Sequence, residues 1–508
     1  MRETLRGLAS DRFHAVVTDP PYGLSEPLSG EDAAAVLAQW LADGVYVRAK
    51  GRKKPGTSGF DPARGPHLPT GSGFMGASWD AFVPSPAQWA EVLRVLRPGG
   101  YALVFAGTRT AGWMAISLML AGFEVLDQID WLYGEGFPKG GDVSKRIDKA
   151  AGAEREALGV GAARCEAARW EDWSTTLKPA HEPIIVARKP LRAKSVGANL
   201  LAWQTGALNI GACRVESGAD YHELEVTQGR NTDGAVRIGG AAGEGGRRRF
   251  APAPGRWPAN VVLSHAAECG AACAPGCAAA ALDEQGGDRP SGSRVAGVRK
   301  GLGYMGADGD GGPAIEGSAG GPTRFFYCPK ASRADRECGA EGAPETSQDV
   351  SGAPLPPRAK DTVNARSRNP HPTVKPTALM RWLVRLVCPP EWRGEDAGEV
   401  LDPFGGSGST GVALALEGLR GVLVERDESY ARIAEGRVAR ALLARETGEV
   451  PKPWRDRQPK PLDRKGCAPT CPVSELDEQI ASFEATEEGE PSPEEVAEAR
   501  AVAARAVE

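Results

Sequence analysis

"EVLDPFGGSGSTGVALALEGLRGVLVERD", residues 399–427, decides the fold. Val400 and Leu401 read as the end of a buried strand, and a helix is expected to start near Ser409. Between them Gly405, Gly406 and Gly408 form a turn that can take positive φ without a side-chain penalty. A second strand then ends at Glu425, 20 residues after Gly405. Open α/β sheets place their ligands at such strand ends. Amides at the helix start favour a negatively charged group. Glu425 is placed to accept hydrogen bonds from ribose hydroxyls, as the acidic residue of a nucleotide fold does. The glycines run Phe-x-Gly-x-Gly after Asp402 and Pro403, not Gly-x-Gly-x-x-Gly, which speaks against a nicotinamide dehydrogenase. A glycine turn with a purely structural purpose would read the same way.

Far upstream, "HAVVTDPPYGL", residues 14–24, has the same form: an apolar, β-branched strand emptying into a special turn. Asp19 accepts hydrogen bonds when ionised, Pro20 and Pro21 offer carbonyls and no N–H, and Tyr22 adds a flat ring. Acceptors beside a ring suit an exocyclic amine on a planar base. The carboxylate and the Pro20 carbonyl can take the amine hydrogens while Tyr22 stacks, and the lone pair is aimed at an electrophile. Alone, the tetrapeptide is equally a strand followed by a Pro-Pro turn capped by Asp19. Two such turns on one sheet make a reaction site.

The intervening chain alternates. "EDAAAVLAQWLA", "PAQWAEVLRVLRPGG", "TAGWMAISLMLAGF", "DVSKRIDKAAGAEREALG" and "KPTALMRWLVRLVCPP" carry helical spacing, the second stopped by Pro-Gly-Gly. "YALVFAG", "EVLDQIDWLYG" and "HEPIIVARKP" read as strands. This alternation predicts an α/β sheet. Between about residues 205 and 360 periodicity fades and glycine and proline crowd, so long loops are expected there. Beyond about residue 447 the chain turns Pro-rich and then acidic, which reads as an appended tail.

The 508 residues are enough for two to four domains. No uninterrupted apolar run of about 18 residues exists, and "MRETLRGLASDRFH" lacks a signal-peptide core, so the expectation is no membrane contact and a cytoplasmic protein. Ten cysteines then read as reduced thiols or metal ligands. The net charge of −5 hides an uneven distribution: the tail from Pro472 holds eleven acidic residues against two arginines, leaving the rest at about +4. With "GRKK" and "GRRRF" in the glycine-rich stretches, the charge is compatible with a nucleic-acid partner.

One motif recurs: "CAPGCAAAALDEQ" at 273–285 and "CAPTCPVSELDEQ" at 467–479. The two Cys-x3-Cys pairs could supply four thiolates to one zinc, with His265 and Cys269 as further candidates. A duplicated helix-start segment needs no metal, and no metal is assigned to the site.

With these residues in view, the sequence resembles the S-adenosylmethionine-dependent amino-methyltransferases of DNA, in which Asp-Pro-Pro-Tyr is the catalytic motif and Phe-x-Gly-x-Gly binds the cofactor. The order catalytic motif, target-recognition region, cofactor half is that of the β-group. "NPHPTVKP", residues 369–376, is similar to the His-Pro-Thr-x-Lys-Pro segment that helps close the cofactor pocket in that group. "LRPGGYALVFAGTRT", "LKPAHEPIIVARKP", "GRWPANVVLSH" and "RFFYCPKASR" look like phage or actinobacterial members, so the likeness covers roughly residues 12–440. Such relatives carry a further strand and a Gly-Asp before "LRGLASDRFH", where this chain has only "RET" after Met1; either translation starts earlier or that sheet edge is trimmed.

The resemblance implies a Rossmann-like α/β fold, a seven-stranded methyltransferase sheet with circularly permuted motif order and an inserted, irregular target-recognition region. The expected division is 1–190 for the catalytic half, 191–365 for target recognition, 366–446 for the cofactor half and 447–508 for the tail. It implies Asp19, Pro20, Pro21 and Tyr22 as catalytic residues. Thr373, Lys375, Asp402, Pro403, Phe404, Gly405, Gly406, Ser407, Gly408 and Glu425 would hold S-adenosylmethionine. Arg247, Arg248, Arg249, Arg256 and Trp257 are candidate contacts to double-stranded DNA. The implied reaction is methylation of a flipped-out base, adenine N6 ahead of cytosine N4, because Asp rather than Ser or Asn precedes Pro-Pro-Tyr. An RNA or protein-glutamine methyltransferase would usually place its Pro-Pro-Tyr after the glycine turn. The protein is expected to be a monomer or homodimer. A catalytically idle DNA-binding protein would need neither Asp19 nor Glu425.

Overall fold

The structure, a computed structural model, describes residues 1–23, 30–43, 83–133, 141–152, 165–215, 256–265, 277–286, 333–343, 367–388 and 398–454, with short backbone pieces at 225–226, 228–230, 236–238 and 248–249 and the positions 269, 273 and 274. Seven strands form one sheet: β1 (Phe13–Thr18), β2 (Leu96–Phe105), β3 (Glu124–Leu132), β4 (His181–Arg188), β5 (Val261–Leu263), β6 (Glu399–Asp402) and β7 (Arg420–Leu423). Their spatial order is β7-β6-β1-β2-β4-β3-β5. Only β4 runs against its neighbours. The first strand of the chain therefore lies beside the sixth, with Ala15 opposite Val400 and Val16 opposite Leu401.

Alternation along β1 divides the core into two layers. Ala15 and Val17 face one side with Leu103, Phe105, Ile184 and Val400, covered by α9 (Thr377–Val387) and α10 (Ser409–Glu417). Val16 faces the other with Val104, Ile185 and Leu401, and Phe13 joins that layer because the register shifts between Phe13 and Ala15; this face is covered by α2 (Gly30–Asp43), α3 (Pro86–Val95) and α4 (Ala111–Leu120). The helix α3 starts as its sequence dictates: Pro86 needs no N–H at the first position, and the Ser85 amide donates to Gln88 Oε1 at 2.8 Å across the first turn. The helices α1 (Arg2–Arg6), α5 (Val143–Ala150), α6 (Val196–Trp203), α7 (Ala278–Gly286), α8 (Arg333–Glu337) and α11 (Glu428–Thr447) complete the set used below. Among the described residues no helix is long and apolar enough to cross a membrane.

Two details depart from the expected elements. The Pro-Gly-Gly after α3 does not open a loop, because β2 already starts at Leu96 and Phe13 pairs with it before a register shift. Gly99, at φ +78°, sits where a Cβ would meet the Asn199 side chain at 2.4 Å, so the glycine lets α6 approach the strand. In the glycine-rich stretch expected to be irregular, β5 joins the main sheet beside β3, and α8 holds the start of α9 through Asp335 and the His371 carbonyl through Arg336. A three-residue strand shows too little alternation to be seen in sequence.

Candidate active site

The parallel strands β1 and β6 deliver their carboxyl ends side by side, and the two special turns meet there. Thr18 closes β1 and donates its hydroxyl to Asp402 Oδ1 at 2.6 Å, while Thr410 donates to Asp402 Oδ2 at 2.5 Å and the Phe404 amide to Oδ1 at 3.1 Å. Burial pushes the Asp402 carboxyl up to about 6 against the pull of those three donors, and the Asp19 charge adds to the rise. Asp402 is thus the clasp between residues 384 positions apart in sequence.

Asp19 follows immediately. Its Oδ2 accepts from Lys375 Nζ at 2.6 Å; its Oδ1 is buried and has no hydrogen-bond partner among the described residues. Lys375 is 3 % exposed and also lies 3.3 Å from Glu182 Oε2 and 3.3 Å from the Thr373 carbonyl. Its ammonium sits 5.4 Å from the Tyr22 ring centre and 5.1 Å from that of Phe105. Burial disfavours the Lys375 charge, but Asp19 and Glu182 outweigh it and its pKa is raised. The Tyr22 hydroxyl donates to Glu182 Oε2 at 2.7 Å, and Thr110 donates to the Tyr22 carbonyl, so both ends of that residue are fixed. Burial first, then Asp19 and Glu182, push the phenol well up. Pro20 is buried and Pro21 half-buried beside it.

The glycine turn is held from behind. Arg437 of α11, fully buried, donates to the Ser407 carbonyl at 2.8 Å, and Asn369 donates to the Ser407 hydroxyl at 3.1 Å. A Cβ on Gly408, at φ +82°, would meet Ala434 Cβ at 2.8 Å, so glycine is what lets α11 sit against the turn. The Glu425 carboxylate accepts from the Gly406, Arg426 and Asp427 amides, each at 2.8 Å, which fixes it at the end of β7 with one further acceptor position on Oε2. Phe404 leans edge-on to Trp89 with ring centres 6.0 Å apart. Pro403 is buried behind it.

His371 stands over the turn. Its ring centre is 4.6 Å from that of Tyr430, and the Thr373 amide donates to Nδ1 at 3.4 Å, which leaves the ring hydrogen on Nε2, facing Gly406. Burial pushes the imidazole down to about 4. The folded state therefore holds His371 neutral where the unfolded chain takes a proton, so its contribution to stability is complete above pH ~6.5 and is lost as pH falls toward 4. Relative to His371→Gln, the wild type should lose on the order of 3 kcal/mol of stability over that interval. Urea denaturation of both proteins at pH 7 and pH 4 checks it.

Gly406 supplies a second expectation. At φ +50° an alanine there costs about 1–2 kcal/mol from the left-handed backbone alone, and its Cβ would lie 2.8 Å from His371 Nε2. The Gly406→Ala protein should melt earlier than wild type, readable by thermal denaturation.

The structure thus brings Asp19, Tyr22, Thr373, Lys375 and Asp402 into one place, with the 404–408 turn and Glu425 alongside. Lys375, expected on the cofactor side, reaches the Asp19 carboxylate. Sequence reasoning missed Glu182, Arg437 and Asp335, whose carboxylate receives the Thr377 amide at 2.7 Å and hydroxyl at 2.6 Å and so seats α9. Arg247 lies outside the described residues, as do the side chains of Arg248 and Arg249, whose backbone pairs with Glu225 and Val226. Arg256 pairs its backbone with Val215, and Trp257 is 67 % exposed with the Arg214 guanidinium 5.6 Å from its ring centre.

Comparison with known proteins bears on part of the chain. Residues 330–436, which contain α8, α9, the glycine turn, α10 and the first part of α11, match the DNA methylase family of the N6/N4 type. A protein described as a methylase, YubD of Escherichia coli (strain K12), is 36 % identical over 84 residues, 16 % of this chain and 34 % of that protein, so the match spans about a third of the curated relative's length. Among solved structures, the M1.HpyAVI–SAM complex overlays with a TM-score of 0.28 at 12 % identity, covering 85 % of this chain and 92 % of that one. TTHA0409 of Thermus thermophilus, described as a DNA modification methylase complexed with S-adenosyl-L-methionine, gives 0.30 at 15 %, covering 87 % and 92 %. The PvuII DNA methyltransferase (cytosine-N4-specific) gives 0.34 at 10 %, covering 88 % and 90 %. The matched segment supplies Lys375, Asp402, the glycine turn, Glu425 and His371; the Asp19 and Tyr22 side of the site comes from outside it.

Proposed function

We propose that this chain is a DNA amino-methyltransferase that uses S-adenosylmethionine to methylate the exocyclic amine of a base rotated out of double-stranded DNA, adenine N6 in preference to cytosine N4. The observation that carries the reading is Asp19, whose Oδ2 is fixed by buried Lys375 while its buried Oδ1 lacks a donor among the described residues. Leaving such an acceptor unsatisfied costs about 1–3 kcal/mol. An amine N–H of the flipped base supplies the missing donor, and the Pro20 carbonyl takes the second hydrogen.

The turn fits an adenosyl cofactor. The start of α10 and the Glu425 carboxylate offer donors and an acceptor of the kind such a molecule needs, on a turn whose glycines let His371 and α11 pack close to it. Asp402, Pro403, Phe404, Gly405, Gly406, Ser407, Gly408, Glu425 and Thr373 would hold it. When bound it supplies an electrophilic methyl group.

The protein's own contribution is positioning and charge. Two carboxylates, Asp19 and Glu182, surround one ammonium, Lys375, so the site carries a formal charge of −1 where the attacking nitrogen becomes positive. Asp19 draws the amine out of conjugation with the ring, directing its lone pair at the methyl carbon. Tyr22, fixed at its hydroxyl by Glu182, offers its face to the base. The new N–C bond forms as the methyl–sulfur bond breaks, and the surplus amine proton passes to solvent. Asp in the first motif position favours adenine.

Methyl transfer from tritiated cofactor to unmodified duplex DNA, followed by nucleoside analysis, tests the reading. N6-methyladenine supports it. N4-methylcytosine would correct the base, and no incorporation with retained DNA binding would favour an idle DNA-binding protein.

A further inference from the structure

At the far edge of the sheet from the glycine turn, β5 ends at Leu263 and the chain runs through His265, Cys269, Cys273 and Cys277 into α7. Four donor atoms, one from each of these residues, lie within 4.8 Å of one another. His265 Nδ1 is 3.4 Å from Cys273 Sγ and 3.5 Å from Cys277 Sγ. Around a tetrahedral zinc with Zn–S of about 2.3 Å and Zn–N of about 2.0–2.1 Å, nitrogen and sulfur ligands stand about 3.5 Å apart. We propose that His265, Cys269, Cys273 and Cys277 bind one zinc ion, a structural site that fastens the segment after β5 to the sheet.

The Cys273–Cys277 pair thus finds its partners locally, in the two residues that sequence offered only as further candidates; Cys467 and Cys471 lie outside the described residues. Ordinary packing accounts poorly for the arrangement. Buried thiols that serve as small apolar groups lie against methyl groups, whereas here two sulfurs converge on one ring nitrogen that can make a single good hydrogen bond. Cys269 and Cys277 are buried, but Cys273 is exposed and His265 half-buried, so an ion has a way in. The Ala274 amide donates to Cys269 Sγ at 3.2 Å, the contact that steadies a metal-bound thiolate.

Among the described residues, the segment has little other support. Its apolar cluster consists of Leu263, Cys269, Cys277 and Ala279, with Leu132, Ala274 and Ala280 at the margin, mostly residues of alanine or cysteine size. Such a core stabilises little, and small units of this kind are held by metal instead. Its firm attachments are the short pairing of β5 with β3, the Ser264 amide to the Leu132 carbonyl at 2.9 Å and Trp131 Nε1 to Ser264 Oγ at 2.7 Å. Four protein ligands leave no open position, so the ion has a structural and not a catalytic part.

The test is metal analysis of the full-length protein purified from zinc-sufficient medium. About one zinc per chain is expected, lost in Cys273→Ser/Cys277→Ser and kept in Cys467→Ser/Cys471→Ser. Zinc well below stoichiometric in the wild type, or zinc that follows Cys467 and Cys471, overturns the proposal. Should the first variant fold poorly, cobalt loaded into the zinc-stripped wild type decides. Tetrahedral visible bands with thiolate charge transfer support the site; an octahedral, thiolate-free spectrum overturns it.

Discussion

Asp19→Ala is expected to lower the rate of methyl transfer by at least about 100- to 1,000-fold while leaving cofactor affinity within about a factor of two. The loss follows from geometry. Asp19 Oδ1 is the buried acceptor without a partner among the described residues, and Oδ2 is held by Lys375 at 2.6 Å, so the carboxylate is oriented before any substrate arrives. Alanine removes the acceptor and the charge that favours a positive nitrogen. The glycine turn keeps its supports, because Arg437, Asn369 and Glu425 reach Ser407 and Gly406 without Asp19. Single-turnover transfer and calorimetric titration of the cofactor separate the two quantities. A variant that methylates DNA at a tenth of the wild-type rate or better would remove Asp19 from the chemistry.

Lys375→Met is expected to be the most damaging single change for stability, by about 3–5 kcal/mol, because it breaks a buried ion pair from one side. Asp19 and Glu182 would then face each other with no cation between them, and the Tyr22 hydroxyl bond would be disturbed through Glu182. Like charges in one buried place favour protonation of one partner. The variant should therefore recover part of its stability relative to wild type as pH falls. Urea denaturation at pH 7.5 and pH 5 measures both effects. A variant as stable as wild type at pH 7.5 would show that the ammonium is solvated and not a bridge.

Much of this site was legible because its signals are local. An apolar run before Asp-Pro-Pro-Tyr and another before Asp-Pro-Phe-Gly-Gly each announce a strand end, and β1, β6 and α10 lie where those runs place them. The neighbourhood of the two strands is not local: it rests on Thr18 meeting Asp402 across most of the chain. Glu182 escaped notice for a directional reason. It stands at the start of β4, and only because β4 is antiparallel does that start lie with the carboxyl ends of its neighbours, Ile184 opposite Phe105. Arg437 was hidden by composition, since α11 carries charge along its length and one buried guanidinium looks like its exposed neighbours. The proposed zinc site was half visible: cysteine spacing showed the Cys273–Cys277 pair, and the fold brings His265 and Cys269 beside it.

The central claim is that the carboxylate near the amino terminus and the glycine turn some 380 residues later serve one reaction. A crystal structure of the protein with a non-reactive S-adenosylmethionine analogue and a short duplex tests it most directly. The account predicts an extruded base whose amine donates to Asp19 Oδ1, with its nitrogen about 3–3.5 Å from the position of the transferable methyl. An analogue bound away from residues 404–408, or a base that does not touch Asp19, would contradict it.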